Sequence, residues 1–300
     1  MSLATAELPT LYQYYSGESI KEGLSDQRPY FTLNKKNITI YSGAFQYFRV
    51  PRAYWRDRFR KLKAAGLNTV ETYVPWNLHE PQSGGSDFED FLHLEEFLKT
   101  AKEEDLFALI RPGPYICGEL DFGGLPSWIL RNTSSVRNSH DKNYINYARR
   151  YFNVLLPLLA MFQFQKGGSI IGLQIENEFG AAFSFDTEYL ELLKQMFLDN
   201  NIIELLYTSD NIGTAWGRGT IPGVLQMANM NSMPRMELDF LKMAQPNKPV
   251  MVMEFWTGWY DHWADNHNTG SNSKDFKSEL TDILDYPSSV NLYLFIGKLS

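Results

Sequence analysis

The sequence lacks the features that mark several large classes of protein. It has a single cysteine, Cys117, so no disulfide can form within the chain, and no Cys/His spacing resembles a zinc site. No run approaches the roughly 18 apolar residues that a membrane-spanning helix needs. The start of the chain also lacks the apolar core of a signal peptide. We therefore predict a chain without a disulfide framework, a membrane span or a visible export signal.

Positive charge is also scarce. Lys and Arg number 28 against 35 Asp and Glu, which gives a formal charge of −7, and no basic run occurs. Such a chain is poorly suited to nucleic acid or to an anionic membrane, so a neutral small molecule is the expected partner. A phosphate-binding glycine loop, a His-Glu-x-x-His motif and a serine-centred elbow are all missing. Neither a cofactor nor a metal ion is predicted.

Apolar residues make up 44% of the 300 positions, which is enough for one large core. After an irregular N-terminal arm, residues 1–29, strand and helix patterns alternate. Helices are predicted between the strands, including a long one capped by Asp141 and another around Met236, Phe240 and Met243. The predicted strands are residues 42–48, 67–74, 107–111, the Ile- and Leu-rich stretch between Gly168 and Glu176, 205–209, 224–227, 249–255 and 290–295.

This alternation predicts an α/β protein, with residues 30–300 forming a (β/α)₈ TIM barrel as a single catalytic domain. A doubly wound sheet is less favoured, because no glycine-rich nucleotide turn follows the first strand. The sequence stops just after the eighth strand, so we expect the last helix of the barrel to be missing.

The fourth strand is the centre of this pattern, because it runs directly into two carboxylates. Glu176 and Glu178 follow a near-continuous apolar run of the kind that parallel strands bury on both faces. Burying two carboxylates side by side is costly unless their charge is used, so this position indicates chemistry. The alternative is a strand end that opens into solvent.

Polar and aromatic side chains also follow other strands, and in a barrel all of these positions face one rim. Glu254 stands after strand seven, opposite Glu178 after strand four. Two glutamates surrounded by Tyr and Trp rings suit a carbohydrate, whose C–H faces pack on aromatic rings while its hydroxyls bind carboxylates and amides. The other candidates are Tyr73, Trp76, Asn77, Arg111, Tyr115, Cys117, Glu119, Asp121, Asn177, Trp256, Trp259 and His262.

A retaining glycosidase needs two carboxyl groups about 5 to 5.5 Å apart, one ionised and one protonated. Glu176 is the main rival of Glu178 for the protonated role. Glu178 is favoured because it lies further beyond the strand and beside Asn177, whose amide can hold a sugar hydroxyl. A metal site formed by Asp261, His262 and His267 is a weaker alternative, because their spacing is loose.

Five motifs follow one another along the chain: Tyr73-Val74-Pro75-Trp76-Asn77-Leu78-His79-Glu80, Arg111-Pro112-Gly113-Pro114-Tyr115-Ile116-Cys117, Gly123-Gly124-Leu125-Pro126-Ser127-Trp128, Ile175-Glu176-Asn177-Glu178-Phe179-Gly180 and Glu254-Phe255-Trp256-Thr257-Gly258-Trp259. In this order they closely resemble the family-35 glycoside hydrolases, the lysosomal-type β-galactosidases.

The resemblance implies a retaining exo-β-galactosidase that removes terminal β-galactose. It implies that Glu178 is the acid/base and Glu254 the nucleophile, and that Tyr73, Cys117, Glu119 and Asn177 hold the galactose hydroxyls. It also implies a lysosomal, vacuolar or extracellular location.

Two departures from the family pattern stand out. Gln46 occupies a position where relatives often have histidine. Family members also continue into further β-rich domains, whereas this sequence ends near the eighth strand. A truncated form that binds galactosides without efficient turnover is therefore the alternative hypothesis.

Overall fold

The computed structural model describes residues 8–182, 186–215, 217–256, 258, 261, 264, 266 and 272–296. Its α-helices are α1 (Leu11–Ser16), α2 (Trp55–Ala64), α3 (Trp76–His79), α4 (Leu94–Glu103), α5 (Lys142–Ala160), α6 (Thr187–Asp199), α7 (Ile212–Ala215), α8 (Pro234–Ala244) and α9 (Ser273–Asp285). Its strands are β1 (Leu24–Ser25), β2 (Thr32–Leu33), β3 (Lys36–Asn37), β4 (Tyr41–Ala44), β5 (Thr69–Tyr73), β6 (Phe107–Arg111), β7 (Ile170–Gln174), β8 (Leu205–Asp210), β9 (Leu225–Met230), β10 (Met251–Trp256) and β11 (Ser289–Tyr293).

The strands β4 to β11 form a closed barrel in which neighbouring strands run parallel. The barrel closes where β11 pairs with β4, with Asn291 opposite Ser42. The longer connecting helices lie between successive strands. The predicted (β/α)₈ barrel is confirmed.

The first barrel strand is shorter than predicted. β4 ends at Ala44, and a 3₁₀ turn follows at Tyr47–Arg49. The difference arises because residues 42–48 are all buried, so alternation between a buried and an exposed face could not show where the strand ends. A short helix, α7, also occupies the glycine-rich link after β8, where no helix is predicted.

Local capping explains where the two helices flanking β7 begin. The Asp141 side chain accepts a hydrogen bond from the Tyr144 amide at 3.0 Å, as predicted. Asp186 caps α6 in the same way, through the Tyr189 amide at 2.9 Å. Such caps satisfy amides that have no partner within the helix, so the chain enters each helix at a defined residue.

The described part of the N-terminal arm, residues 8–29, has more regular structure than predicted. Thr10 caps α1, and the rings of Tyr12 and Tyr15 lie 5.0 and 5.7 Å from that of Phe107. The small antiparallel sheet β1–β2–β3 packs beside this helix, so the end of the barrel opposite the carboxyl ends of the strands is covered by apolar side chains. Among the described residues, no helix is long and apolar enough to cross a membrane.

Candidate active site

The predicted site residues converge at the carboxyl ends of the barrel strands. Tyr73 and Arg111 end β5 and β6, Asn177 and Glu178 follow β7, and Glu254 lies near the end of β10. Parallel strands in a closed barrel direct their carboxyl ends to the same mouth, which is why positions so far apart in sequence meet there.

Glu254 is held by donors from three directions. Its Oε1 accepts hydrogen bonds from the Tyr73 hydroxyl at 2.9 Å and from the Arg111 guanidinium, and its Oε2 accepts one from Trp256 Nε1 at 2.9 Å. The residue is only 4% exposed. Donors fixed around a buried carboxylate define the direction in which its oxygens point.

Arg111 connects the nucleophile candidate to groups deeper in the barrel. Its side chain is fully buried, also donates to Asn177 Oδ1, and lies 3.7 Å from Glu71 Oε1. Burial raises the pKa of Glu71 to about 7, although the positive Arg111 opposes that shift. Glu71 in its neutral form leaves Arg111 and Glu254 as a balanced pair of opposite charges.

Glu178 has a different environment. Its Oε1 accepts a hydrogen bond from Asn229 Nδ2 at 3.0 Å, and Ser209 donates in turn to Asn229 Oδ1. Burial, reinforced by the negative charge of Glu254, raises the pKa of Glu178 to about 7. Glu178 is therefore a carboxylic acid that still carries its proton in weakly acidic solution.

Glu176, the rival for the acid role, is committed to an ion pair. Arg137 donates to its two oxygens at 2.9 and 2.7 Å, and the Tyr189 hydroxyl adds a third hydrogen bond at 3.1 Å. In an ideal strand Glu176 and Glu178 would point to the same side. Both have positive φ angles, 61° and 46°, so the chain has left strand geometry and the two carboxyl groups separate.

The loop after β6 carries two of the predicted sugar-binding residues. Cys117 is half-buried, and burial raises the pKa of its thiol. Both carboxylate oxygens of Glu119 accept from the Tyr293 hydroxyl at 3.1 Å. Arg49 donates to the carbonyl of Glu119 at 3.1 Å and also to Gln46, so the residue that departs from the family pattern helps to hold this loop.

Asn177 presents its amide in one orientation. Its Oδ1 accepts from Arg111 and, at 3.0 Å, from Gln174 Nε2. The amide nitrogen donates to no residue in the described part of the chain, so it remains available to a ligand. The same loop also offers the Asn177 carbonyl to Arg137 at 2.7 Å.

Some predicted rim residues lie elsewhere. Trp76 is a core residue, because it is fully buried, stacks on Tyr151 with 5.0 Å between centroids and donates to Glu80 at 2.7 Å. Asp121 is exposed to solvent. Trp259 and His262 lie outside the described residues, as does His267 of the alternative metal site. The described residues contain no group of three acidic, histidine or cysteine side chains that could hold a metal ion.

Four contributors to the site were not predicted. Asn229 and Tyr293 lie at strand ends, where the barrel rule could have identified them. Glu71 lies inside the barrel on β5 and Arg137 in the loop before α5, and no motif that we recognised includes either of them. Their roles become visible only from the contacts with Arg111 and Glu176.

Comparison with known proteins places this chain in a family. Residues 30–298 match the model of glycosyl hydrolases family 35. The chain is 43% identical to beta-galactosidase-1-like protein 3 of Rattus norvegicus over 268 residues, which is 89% of this chain and 42% of that protein. It is 40% identical to the beta-galactosidase of Homo sapiens over 276 residues, covering 90% of this chain and 40% of the relative. The chain thus spans about two fifths of the length of these relatives.

Solved structures share the fold at low sequence identity. An endo-1,4-beta-mannanase from Rhizomucor miehei superimposes with a TM-score of 0.64 at 13% identity, covering 90% of both chains. An exo-beta-1,4-mannosidase from Opitutaceae bacterium strain TAV5 gives 0.63 at 17% identity, covering 86% of this chain and 52% of the other. These similarities show the barrel alone. The motifs and the match over residues 30–298 together establish that the chain belongs to glycosyl hydrolases family 35.

Proposed function

We propose that this chain carries the catalytic centre of a retaining exo-β-galactosidase, which hydrolyses terminal non-reducing β-D-galactose from glycans and glycoconjugates. Glu254 is the nucleophile and Glu178 the general acid/base. The main support is the contrast between two neighbouring carboxyl groups. Glu254 has three donors around it, whereas burial and the charge of Glu254 raise the pKa of Glu178 to about 7.

The contrast matches what a double displacement requires. In the first step Glu254 attacks the anomeric carbon while Glu178 donates its proton to the leaving oxygen, and a galactosyl ester forms. The negative charge of Glu254 then disappears, so the pKa of Glu178 falls and its carboxylate can take a proton from the attacking water. Hydrolysis of the ester restores both groups. We expect their carboxyl groups to lie about 5 to 5.5 Å apart.

The substrate-binding roles follow from groups that line the mouth. We propose that the free amide nitrogen of Asn177 donates to a sugar hydroxyl and that the Glu119 carboxylate accepts from one. The Tyr73 hydroxyl lies beside the nucleophile because it donates to Glu254, and we propose that Tyr73 and the half-buried Cys117 also contact sugar hydroxyls. The names of the relatives, which include beta-galactosidase, favour galactose as the sugar.

The same site bears on the compartment. A general acid that holds its proton below about pH 7 is suited to an acidic surrounding. This supports the lysosomal, vacuolar or extracellular location that the family resemblance implies, and immunolocalisation of the full-length protein would test it.

The decisive experiment compares leaving groups. Glu254→Gln should lose the first step with every aryl β-galactoside. Glu178→Gln should keep that step with a dinitrophenyl leaving group, which needs no acid, and lose it with a simple phenyl leaving group. Azide should rescue Glu178→Ala by giving β-galactosyl azide. Galactoside binding without turnover in the unsubstituted chain would instead support the impaired form, and equal losses in both Gln variants would contradict the roles assigned here.

A further inference from the structure

The polar environment of Glu178 points to a residue outside the five sequence motifs. Asn229 is fully buried near the end of β9 and pairs in register with Glu254 on β10. The alternate residues before it on β9, Leu225 and Met227, pack in the core inside the barrel. Asn229 therefore projects inward at the level of the two catalytic carboxyl groups.

The contacts of Asn229 define which oxygen of Glu178 can carry the proton. Asn229 Nδ2 donates to Oε1 at 3.0 Å, and Ser209 donates to Asn229 Oδ1. A carboxyl oxygen that already accepts this hydrogen bond is the poorer place for a proton, so the proton belongs on Oε2. Within the described residues, no hydrogen bond to Oε2 occurs, so that oxygen is left for the substrate.

We propose that Asn229 is a positioning residue for the acid/base: its amide directs the proton of Glu178 to Oε2 and stabilises the carboxylate form that activates water in the second step. Hydrogen bonding to the charged form of a group favours that form. Two influences, burial and the charge of Glu254, disfavour the charged form of Glu178. After the galactosyl ester forms, the charge of Glu254 is gone, and Asn229 then has its largest effect.

The proposal makes the second step more sensitive to Asn229 than the first. In Asn229→Ala the carboxylate loses its donor, so Glu178 should keep its proton to higher pH, and a smaller fraction of it is ionised and able to accept a proton from water. In Asn229→Asp a second negative charge faces the same oxygen, which should raise the pKa further. A residue that merely filled space would tolerate Asp, which has nearly the same shape as Asn.

The test combines activity with a direct titration. The inference rests on the proposed function for its kinetic part, so the unsubstituted chain must first release galactose from a dinitrophenyl β-galactoside. With a phenyl β-galactoside, whose leaving group needs the acid, we expect the basic limb of kcat/KM to move upward by about half to one pH unit in Asn229→Ala, and further in Asn229→Asp. With dinitrophenyl galactoside in weakly acidic solution, we also expect kcat to fall about 3- to 10-fold as the ionised fraction of Glu178 decreases, with a lower KM as the ester accumulates. Ser209→Ala should shift the limb in the same direction by less.

A second measurement does not depend on turnover. ¹³C NMR of glutamate-labelled protein, with Glu178→Gln to assign the resonance, follows the carboxyl of Glu178 directly, and thermal melting verifies that each variant is folded. A higher titration midpoint in both Asn229 variants, with Asp above Ala, supports the proposal even if galactosides prove to be the wrong substrates. An unchanged or lower midpoint in folded variants overturns it, as does an Asp variant that behaves like the unsubstituted chain.

Discussion

The ion pair between Arg137 and Glu176 allows a quantitative prediction. Glu176 is 1% exposed, and Arg137 donates to both of its oxygens and to the Asn177 carbonyl. Removing one partner of a buried ion pair typically costs about 3–5 kcal/mol, because the other charge is left without compensation. The Arg137 guanidinium also lies 3.8 Å from the centroid of the Tyr115 ring, a contact worth about 0.5–1 kcal/mol.

These contributions predict a large loss of stability for Arg137→Met. The Tyr189 hydroxyl and the backbone amide of Asn177 still donate to Glu176, at 3.1 and 2.6 Å. Part of the Arg137 side chain also reaches solvent. We therefore take the lower end of the range for the pair, about 3 kcal/mol, which with the ring contact gives about 3.5–4 kcal/mol. This is a sizeable share of the roughly 5–15 kcal/mol by which domains are stable.

The matched control is the double variant Arg137→Met/Glu176→Gln, which removes both charges and should lose only about 1–2 kcal/mol. Urea denaturation at pH 7 measures all three proteins. A loss below about 1 kcal/mol in Arg137→Met, or a double variant less stable than the single one, would refute the account of this pair.

Activity provides an independent check on the same residues. Because Arg137 also holds the carbonyl before Glu178, a displaced loop should lower kcat/KM about 10- to 100-fold in Arg137→Met. Glu176→Gln retains the Tyr189 and backbone donors and should keep far more activity than Glu178→Gln. Equal inactivation of these two Gln variants would mean that Glu176 takes part in the chemistry.

Three further predictions concern charge and donors. With a poor leaving group, kcat/KM should fall above about pH 7 as Glu178 ionises, and this limb should persist in Glu204→Gln; a flat pH profile would contradict the assignment. Glu204 lies at the far end of the barrel, and burial raises its pKa to about 7. Between the pKa of the unfolded chain, near 4.5, and this value, the folded protein keeps a proton that the unfolded chain has lost. The free energy of unfolding therefore declines as pH rises through that window. The free energy of unfolding of Glu204→Gln, measured by urea denaturation, is therefore compared with that of the unsubstituted chain at pH 4.5 and at pH 8. This difference should shift in favour of the variant by roughly 1–2 kcal/mol between the two pH values, and Glu71→Gln should independently behave in the same way. A pH-independent difference would show that the carboxyl is ionised throughout. Trp256→Phe removes the 2.9 Å donor to Glu254 Oε2 and should lower kcat/KM about tenfold at an unchanged melting temperature; loss of melting temperature instead would assign Trp256 to packing.

Sequence patterns predicted the barrel well because its strands are nearly continuous apolar runs. The predicted strand 107–111 coincides with β6, and Asp141 caps α5 as expected. Helix α8 shows the limit of such patterns. Met236, Phe240 and Met243 mark the helix in the sequence, yet they are 41, 42 and 74% exposed, whereas Leu238 and Leu241 face the core. Apolar character alone did not show which face of this helix packs on the barrel.

The site could be predicted only where a motif or a strand end indicated it. Glu178 follows β7 and Glu254 lies near the end of β10, so the barrel rule brings them to one mouth. That rule could not show that Glu176, two residues away, turns toward Arg137, because the turn depends on positive φ angles and on a cation supplied by another loop. Glu71 shares this property, since it acts through Arg111, a partner distant in sequence.

The closure of the barrel has a consequence for biosynthesis. The Ile40 amide donates to Ser289 Oγ across 249 residues of sequence, at the seam where β4 meets β11. At roughly 5–20 residues per second, a ribosome needs on the order of 10–50 s to make the intervening chain. Throughout that time β4 has no partner strand on one side. Tyr15 and Phe31 belong to an apolar cluster that also contains Met251 and Met253, so this cluster stays incomplete until those two residues have been synthesised. Nascent chains of this protein should therefore require chaperone protection until translation has passed β11, and synonymous codon changes that slow translation before β10 should lower the soluble yield without altering the folded product.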